Sequence, residues 1–287
     1  MDTVLESASK QVVIGSDKPF CIIGERINPT GRKAFAEELK NGDLATVVKD
    51  THAQAEAGAD VLDVNAGIPL VDEAELLASM LQLIQEHTDL PLCIDSSVIE
   101  ALEAGLAVYQ GKALVNSVTG EDDRLEEILP LVARHGAAVI GLANDETGIP
   151  ETPQQRLDIA RKIVSAAGDH GIPPEDVVID PLAMTVGADT DAVTTTLETI
   201  RLIRDELGVN MSLGASNVSF GLPERHTLNA AFLPMAMAAG LTSAIMSTAP
   251  VCVDSVRAAD LLLGHDAWGA SWIAAHRRKK AEAAAAA

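Results

Sequence analysis

The chain has 287 residues, and 47% hydrophobic with 22% charged residues supplies enough apolar material for the core of a folded globular protein. Its 42 acidic side chains outnumber its 21 basic ones, which gives a formal net charge of −21. A surface of this charge repels phosphate backbones and anionic membrane surfaces, so the composition argues against nucleic-acid binding.

The apolar segments are short and widely distributed. No apolar run approaches the roughly 20 residues that a membrane-spanning helix needs, and residues 1–10 contain no stretch of signal-peptide type. We therefore expect a cytoplasmic protein that does not bind membranes. Cys21, Cys93 and Cys252 each lie within an apolar run, which predicts buried free thiols and neither a disulfide framework nor a C-x-x-C metal site.

In chain order, a polar segment precedes a regular alternation of short apolar runs and longer segments. We expect residues 1–18 to form a loosely attached lead-in. From about residue 19 the alternation occurs eight times, and the runs lack the in-and-out pattern of a half-exposed strand, as is typical of buried parallel strands. The runs are 19–28, 60–67, 90–97, 112–118, 137–144, 176–182, 210–217 and 241–247.

The intervening segments predict one-sided helices, because apolar residues such as Leu77, Met80, Leu81 and Ile84 recur at helical spacing. Alternating strands and helices form either an open doubly wound sheet or a closed barrel, and eight units favour closure. Such barrels span roughly 250 residues as one unit. We therefore predict an α/β fold, a single (β/α)8 TIM barrel, over residues 1–287. The composition of residues 276–287, at the end of the chain, predicts a low-complexity helical tail.

Polar side chains stand at the ends of most of these apolar runs. In a parallel barrel the carboxyl ends of the strands meet at the functional face. Burying an unpaired polar group costs roughly 1–3 kcal/mol, and a polar, planar ligand would supply partners, although the same residues could cap the following helices. The residues are Glu25, Arg26, Asn28, Asp63, Asn65, Asp95, Ser96, Ser97, Asn116, Ser117, Asn144, Asp145, Asp180, Ser216 and Asn217.

This set consists mainly of carboxylates and amides and contains no obvious nucleophile. None of the seven histidines is spaced as a zinc site, so we predict no directly bound metal. The sequence also lacks G-x-G-x-x-G, Walker A and G-x-S-x-G motifs, which removes the usual support for nucleotide binding and serine hydrolysis. Carboxylates and amides suit a heterocycle with adjacent N–H donors and acceptors, of which a pterin is one.

At these residues the sequence resembles the pterin-binding family. This family includes methyltetrahydrofolate–corrinoid methyltransferases, the folate-binding domain of cobalamin-dependent methionine synthase, and dihydropteroate synthase. The resemblance covers roughly residues 20–265, and the ordered set of motifs is far more specific than any one of them. The motifs are IIGERINPTG, AGADVLDVNAG, LCIDSS, LVNSVTGE, IGLANDETGIP, VVIDPL and GASNVSFGLPER.

The resemblance implies roles for particular residues. Asp180 matches the family's pterin-binding aspartate, whose carboxylate accepts the ring N3–H and the 2-amino hydrogens. Asp95 and Asn116 match residues that bind other polar edges of the pterin. Asn217 is similar to the asparagine beside N5 in the methyltransferase branch, so we predict it as the catalytic residue, which hydrogen-bonds N5 as charge develops there.

The remaining implied positions surround these residues. The other predicted pterin contacts are Ser216, Asp63, Asn65, Glu25 and Asn28. The proton for N5 would come through water and nearby polar residues such as Asp63 or Asn65. Arg225 would contact the folate's glutamate tail or a partner protein, and a solvated surface arginine is an equally good interpretation.

The seventh strand distinguishes the branches of the family. Dihydropteroate synthases have a sequence similar to S-R-K-x-F at this strand, whereas residues 216–220 of this chain are SNVSF and lack the arginine and lysine. INPTG also replaces the N-V-T-P-D-S-F loop after the first strand. The predicted function is therefore transfer of the N5 methyl group between methyltetrahydrofolate and the cobalt of a corrinoid protein. Dihydropteroate synthase and a non-catalytic pterin-binding subunit of a corrinoid complex are the alternatives.

The resemblance also implies partners. The chain has no corrinoid-binding segment of the D-x-H-x-x-G type, so cobalamin must arrive on another protein or subunit. The family resemblance suggests a homodimer. Transfer in either direction, from folate to corrinoid or the reverse, is compatible with the motifs.

Overall fold

The computed structural model describes residues 1–285 and begins with an antiparallel hairpin of β1 (Asp2–Glu6) and β2 (Gln11–Gly15). The side chains of Leu5 and Ile14 are fully buried and belong to the apolar cluster inside the barrel described below. Asn210 donates hydrogen bonds of 2.9 Å to Thr3 Oγ1 and to the Ile14 carbonyl. The expectation of a loose lead-in over residues 1–18 is wrong, because the hairpin closes the amino-terminal end of the barrel, where apolar side chains would otherwise face water.

Eight parallel strands of the described chain form the main sheet. From β3 (Cys21–Ile27) to β9 (Asn210–Met211) each strand pairs with the next in the chain, and β10 (Ser243–Met246) pairs with β3. A parallel bridge between Gly214 and Ile245 joins the segment after β9 to β10, which completes the barrel. The strands are β3 (Cys21–Ile27), β4 (Val61–Asn65), β5 (Leu92–Asp95), β6 (Leu114–Thr119), β7 (Ala138–Leu142), β8 (Val177–Asp180), β9 (Asn210–Met211) and β10 (Ser243–Met246). The predicted (β/α)8 barrel is confirmed, since each of the eight apolar runs contains a strand.

Helices surround the strands, and two of them connect β3 to β4. The α-helices within residues 1–285 are α1 (Lys33–Lys40), α2 (Ala45–Ala57), α3 (Glu73–His87), α4 (Ile99–Val108), α5 (Asp122–His135), α6 (Pro153–Asp169), α7 (Ala192–Glu206), α8 (Arg225–Ala239), α9 (Pro250–Leu263) and α10 (Ala270–Ala285). None of these helices combines the length and apolarity that crossing a membrane requires. The predicted tail at 276–287 is helical as far as Ala285, and its last two residues lie outside the described part.

The core has two layers. A large cluster lies between strands and helices and includes the predicted apolar face of α3, with Leu77, Met80, Leu81 and Ile84 all buried. Burying one such side chain contributes roughly 1.5–3 kcal/mol. A smaller cluster fills the inside of the barrel. All three cysteines are free and buried, as the sequence predicted.

Candidate active site

A cavity of about 750 Å³ opens at the carboxyl-terminal ends of the barrel strands, a region that we call the mouth. This is the face where the βα loops of a barrel build functional sites. Eight of the ten predicted site residues line the cavity, and Asn65 and Asp180 do not. The eight are Glu25, Asn28, Asp63, Asp95, Asn116, Ser216, Asn217 and Arg225.

Three neighbouring strands bring carboxylates and amides together at the mouth. Asn65 of β4 pairs in register with Asp95 of β5, which pairs with Asn116 of β6. Asn65 Nδ2 donates to Asp95 Oδ2 across 3.0 Å, and Asn116 Nδ2 donates to Asp63 Oδ1 across 3.1 Å. We call Asp63, Asn65, Asp95 and Asn116 the acid–amide cluster. Asn65 therefore supports Asp95 from behind the cavity wall.

Burial changes the acid strength of the carboxyl groups in this cluster. Burial, together with the charge of the nearby Glu25 and against hydrogen bonds from Asn116 and Cys93, raises the pKa of Asp63 to about 6. Burial, followed by the charge of Asp63, raises the pKa of Asp95 well above its usual range. Adjacent carboxyl groups that share a buried site hold on to protons. The cluster can therefore present both protonated and ionised oxygens to a ligand near neutral pH.

A second group of polar contacts surrounds Ser216, in the short 3-10 turn Ala215–Ser219 after β9. Ser216 Oγ donates to Glu25 Oε1 across 2.8 Å and accepts from Asn229 Nδ2 across 3.2 Å. Burial raises the pKa of Glu25, and the hydrogen bond from Ser216 partly opposes this. Glu25, on β3, is thereby fixed at the side of the cavity next to the Ser216 turn.

Asn217 lies in the same turn and is exposed to the cavity. Its backbone N–H donates to the Gly214 carbonyl across 3.1 Å, which closes the turn. A Cβ atom at Gly214 would stand 3.0 Å from Asn217 Nδ2, so glycine leaves room for the amide there. Within residues 1–285 the amide of Asn217 has no hydrogen-bond partner, which leaves it available to a ligand.

Arg225, at the start of α8 and in the cavity lining, holds the Ser216 turn in place. Its Nη2 donates to the Ser216 carbonyl across 2.6 Å and its Nε to Ser219 Oγ across 3.2 Å, while the guanidinium lies 5.7 Å from the centre of the Phe220 ring. Although Arg225 is exposed, these contacts stabilise the conformation of the Ser216 turn. Asn28 also serves its own loop, because its Oδ1 accepts from the Thr30 N–H across 2.9 Å.

Asp180 stands at the end of β8, beside Leu142 of β7. Its Oδ1 accepts from the Leu182 N–H across 2.7 Å. Burial raises the pKa of Asp180 to about 7, opposed by the Leu182 hydrogen bond and by the charge of Arg156. The side chain lies at the same end of the barrel as the acid–amide cluster and outside the cavity lining.

Sequence reasoning missed three cavity residues that lie on helices: Gln54 of α2, and His226 and Asn229 of α8. Gln54 of α2 accepts from the Arg26 N–H across 2.8 Å, and its Nε2 is buried with no partner among the described residues. Asn229 of α8 leaves its Oδ1 unpartnered in the same way. The one sequence signal is Gly24, where a Cβ would stand 2.5 Å from Gln54 Oε1. A glycine within an apolar strand indicates close approach without revealing what approaches.

A parallel barrel whose mouth carries carboxylates and amides defines a class: a TIM-barrel protein that binds a small, polar, planar molecule. Within residues 1–285 no group of three or more His, Cys, Asp or Glu is placed to hold a metal ion. Residues 24–247 match the family model described as pterin binding enzyme, so the chain belongs to the pterin-binding enzyme family.

Similar proteins agree with this family. The chain is 34% identical over 252 residues to the methylcorrinoid:tetrahydrofolate methyltransferase of Eubacterium limosum. The match covers 85% of this chain and 92% of that protein. It is 31% identical to methionine synthase of Mycobacterium tuberculosis over 84% of this chain, but it spans only 21% of that protein. Dihydropteroate synthase of Xanthomonas albilineans, solved with 7,8-dihydropteroate, superposes with a TM-score of 0.66 at 20% identity, over 91% of this chain and 98% of that one. That likeness concerns the fold.

Proposed function

We propose that this protein transfers the N5 methyl group between methyltetrahydrofolate and the cobalt of a corrinoid protein. The observation that carries the proposal is the cavity at the mouth. It joins the acid–amide cluster to an unpartnered Asn217 amide, in a chain 34% identical to a methylcorrinoid:tetrahydrofolate methyltransferase.

In this proposal the acid–amide cluster binds the pterin ring. A pterin presents N–H donors and ring acceptors along one edge, and Asp95 and Asn116 supply the complementary groups from neighbouring strands. Asp180, at the same end of the barrel, would bind the N3–H and 2-amino edge. Glu25, Ser216 and Asn28 would border the ring on the other sides.

The chemical requirement is a proton at N5. When the methyl group leaves N5, the electron pair of the broken N–C bond stays on nitrogen, which must take up a proton. A hydrogen bond in which Asn217 Oδ1 accepts from the arriving N5–H stabilises that change most strongly in the transition state. Asp63 lines the cavity and its raised pKa suits it to supply the proton, whereas the Asn65 amide is committed to Asp95.

The corrinoid would be carried by a partner protein and would reach the folate through the open mouth of the barrel, where it would supply a cobalt(I) nucleophile.

We also propose a homodimer. The Ala-rich helix α8 contributes mostly to the core, with Phe232 and Leu233 buried, so exposed apolar side chains such as Trp268 and Ile273 are better candidates for the contact. A cytoplasmic location is part of the proposal and is supported by the free thiols, which a reducing compartment preserves.

The test uses the purified full chain with methyltetrahydrofolate and free cobalamin reduced to cobalt(I). Binding is measured by calorimetry, and loss of the cobalt(I) absorption reports transfer. Binding with transfer supports the proposal. Folate binding without transfer would favour a non-catalytic pterin-binding subunit, and turnover of a pterin pyrophosphate with p-aminobenzoate would favour dihydropteroate synthase.

A further inference from the structure

Arg156 of α6 is an unusual residue, because its side chain is buried without a carboxylate partner. It is 3% exposed, and its guanidinium donates to three backbone carbonyls. Nε donates to Pro150 across 3.0 Å, and Nη1 donates to Pro181 across 3.0 Å and to Leu182 across 2.8 Å. Burying a cation is unfavourable unless its donors are satisfied, so this arrangement indicates a specific task.

The carbonyls of Pro181 and Leu182 belong to the turn that carries Asp180. In this turn Leu182 has a φ of +65°, in the left-handed region that residues other than glycine rarely adopt. Thr196 of α7 donates to the Leu182 carbonyl across 2.9 Å, and the Leu182 N–H donates to Asp180 Oδ1. Arg156 and Thr196 therefore hold a conformation that in turn fixes the direction of the Asp180 carboxylate.

We propose that Arg156 is a positioning residue for pterin binding, which holds the Asp180–Leu182 turn so that the second carboxylate oxygen of Asp180 remains free for the ligand. Within residues 1–285 that oxygen accepts no hydrogen bond. The inference rests on the proposed function, in which Asp180 binds the pterin edge. The inference adds to the site Arg156, a helix residue that does not itself line the cavity.

The charge of Arg156 has a separate effect. Burial raises the pKa of Asp180, and Arg156 is the charged group that lowers it. The other groups packed on the turn are uncharged: the Ala143 N–H, directly after β7, donates to the Asp180 carbonyl, the Ser212 N–H donates to the Ile179 carbonyl, and Thr196 contributes a hydroxyl. Removing the cation should therefore raise the pKa of Asp180 further.

The experiment measures the Kd of tetrahydrofolate by calorimetry between about pH 5.5 and pH 9 for the full chain, Arg156→Gln and Arg156→Lys. In both variants we expect binding about tenfold weaker at the alkaline end, where Asp180 is ionised, because the fork of hydrogen bonds is lost. As the pH falls, Asp180 takes up a proton and binding weakens. In Arg156→Gln the midpoint pH of this loss of binding should rise by about one unit, whereas Arg156→Lys keeps the charge and therefore the wild-type midpoint.

Asp180→Asn separates this inference from the proposed function. Asp63 and Asp95 also titrate, so the midpoint shift is assigned to Asp180 only if it disappears in the double variant Arg156→Gln/Asp180→Asn. Wild-type affinity of both Arg156 variants at alkaline pH would overturn the inference, as would a shift that persists in the double variant. Wild-type binding by Asp180→Asn would instead contradict the proposed role of Asp180. If Arg156→Gln does not fold, by circular dichroism, the alkaline affinity of Arg156→Lys decides.

Discussion

Asn116 and Asp63 are joined by a hydrogen bond of 3.1 Å although they belong to strands that are not neighbours. Asp63 lies on β4 and Asn116 on β6, and β5 with Asp95 runs between them. Residues from alternate strands meet inside a parallel barrel, so this bond crosses above the middle strand. It fixes which edge of the Asn116 amide remains for a ligand.

Asn217→Ala should lower the rate of methyl transfer about 10²–10³-fold, because it removes a hydrogen bond that strengthens as N5 gains its proton. Tetrahydrofolate affinity should change far less. Stopped-flow absorbance of cobalt(I) cobalamin measures the rate, and calorimetry measures the affinity. Asn41→Ala, at the end of α1 and outside the cavity lining, is the matched control. Unchanged transfer in Asn217→Ala would show that the amide is structural.

Asp63→Asn should stabilise the folded protein at pH 8 by roughly 3 kcal/mol while slowing methyl transfer. The folded-state pKa of about 6 exceeds the ordinary 3.8, so the native state binds the proton more tightly than the unfolded chain. The wild-type carboxyl therefore destabilises the fold progressively as the pH rises from about 4 to about 6, and fully above that range. Urea unfolding at pH 4 and pH 8 tests the sign, since the advantage of the variant should vanish at pH 4. An equal advantage at both values would contradict it.

Arg225→Ala should weaken methyltetrahydrofolate binding about tenfold by releasing the Ser216 turn. The two interpretations of this arginine are separated by a second ligand, a methyltetrahydropterin without the aminobenzoylglutamate tail. If Arg225 acts through its bonds to Ser216 and Ser219, both ligands lose affinity equally. Selective loss for the folate would show that Arg225 contacts the tail carboxylates.

Leu5→Ala should destabilise the protein by about 2–5 kcal/mol, because Leu5 is fully buried in the cluster inside the barrel. Tetrahydrofolate affinity of the folded variant should stay as in wild type, since the hairpin lies at the end opposite the mouth. Val13→Ala, on the same hairpin and only partly buried, is the control and should have a smaller effect. Equal losses of stability in the two variants would mean that Leu5 does not close the barrel.

The barrel was predictable because buried parallel strands appear in the sequence as continuous apolar runs, and their ends necessarily share one face. The hairpin was not, because each of its strands buries only one large apolar side chain, Leu5 or Ile14, and the other buried position of β1 is the polar Thr3, so no apolar periodicity appears in the sequence. Gln54, Asn229 and Arg156 were missed for a different reason. Whether a polar helix residue faces solvent or the site depends on how the helix packs, which local spacing does not encode.

Asp180 and Asn65 show the corresponding limit at the strand ends. Both stand where the motifs place them, yet neither lines the cavity. When both faces of a strand are apolar, the sequence does not show which way the last side chain points. The contacts given to Asp95 by Asn65, and to the Asp180 turn by Arg156, emerge only from the folded geometry.

The hairpin of β1 and β2 has a kinetic consequence for a two-reactant enzyme. With Leu5 and Ile14 plugging one end of the barrel, both reactants approach its interior through the opposite opening. A macromolecule seated there traps whatever small molecule lies beneath it. Turnover should then follow a compulsory order, in which the small reactant enters first and its product leaves only after the large one has lifted away.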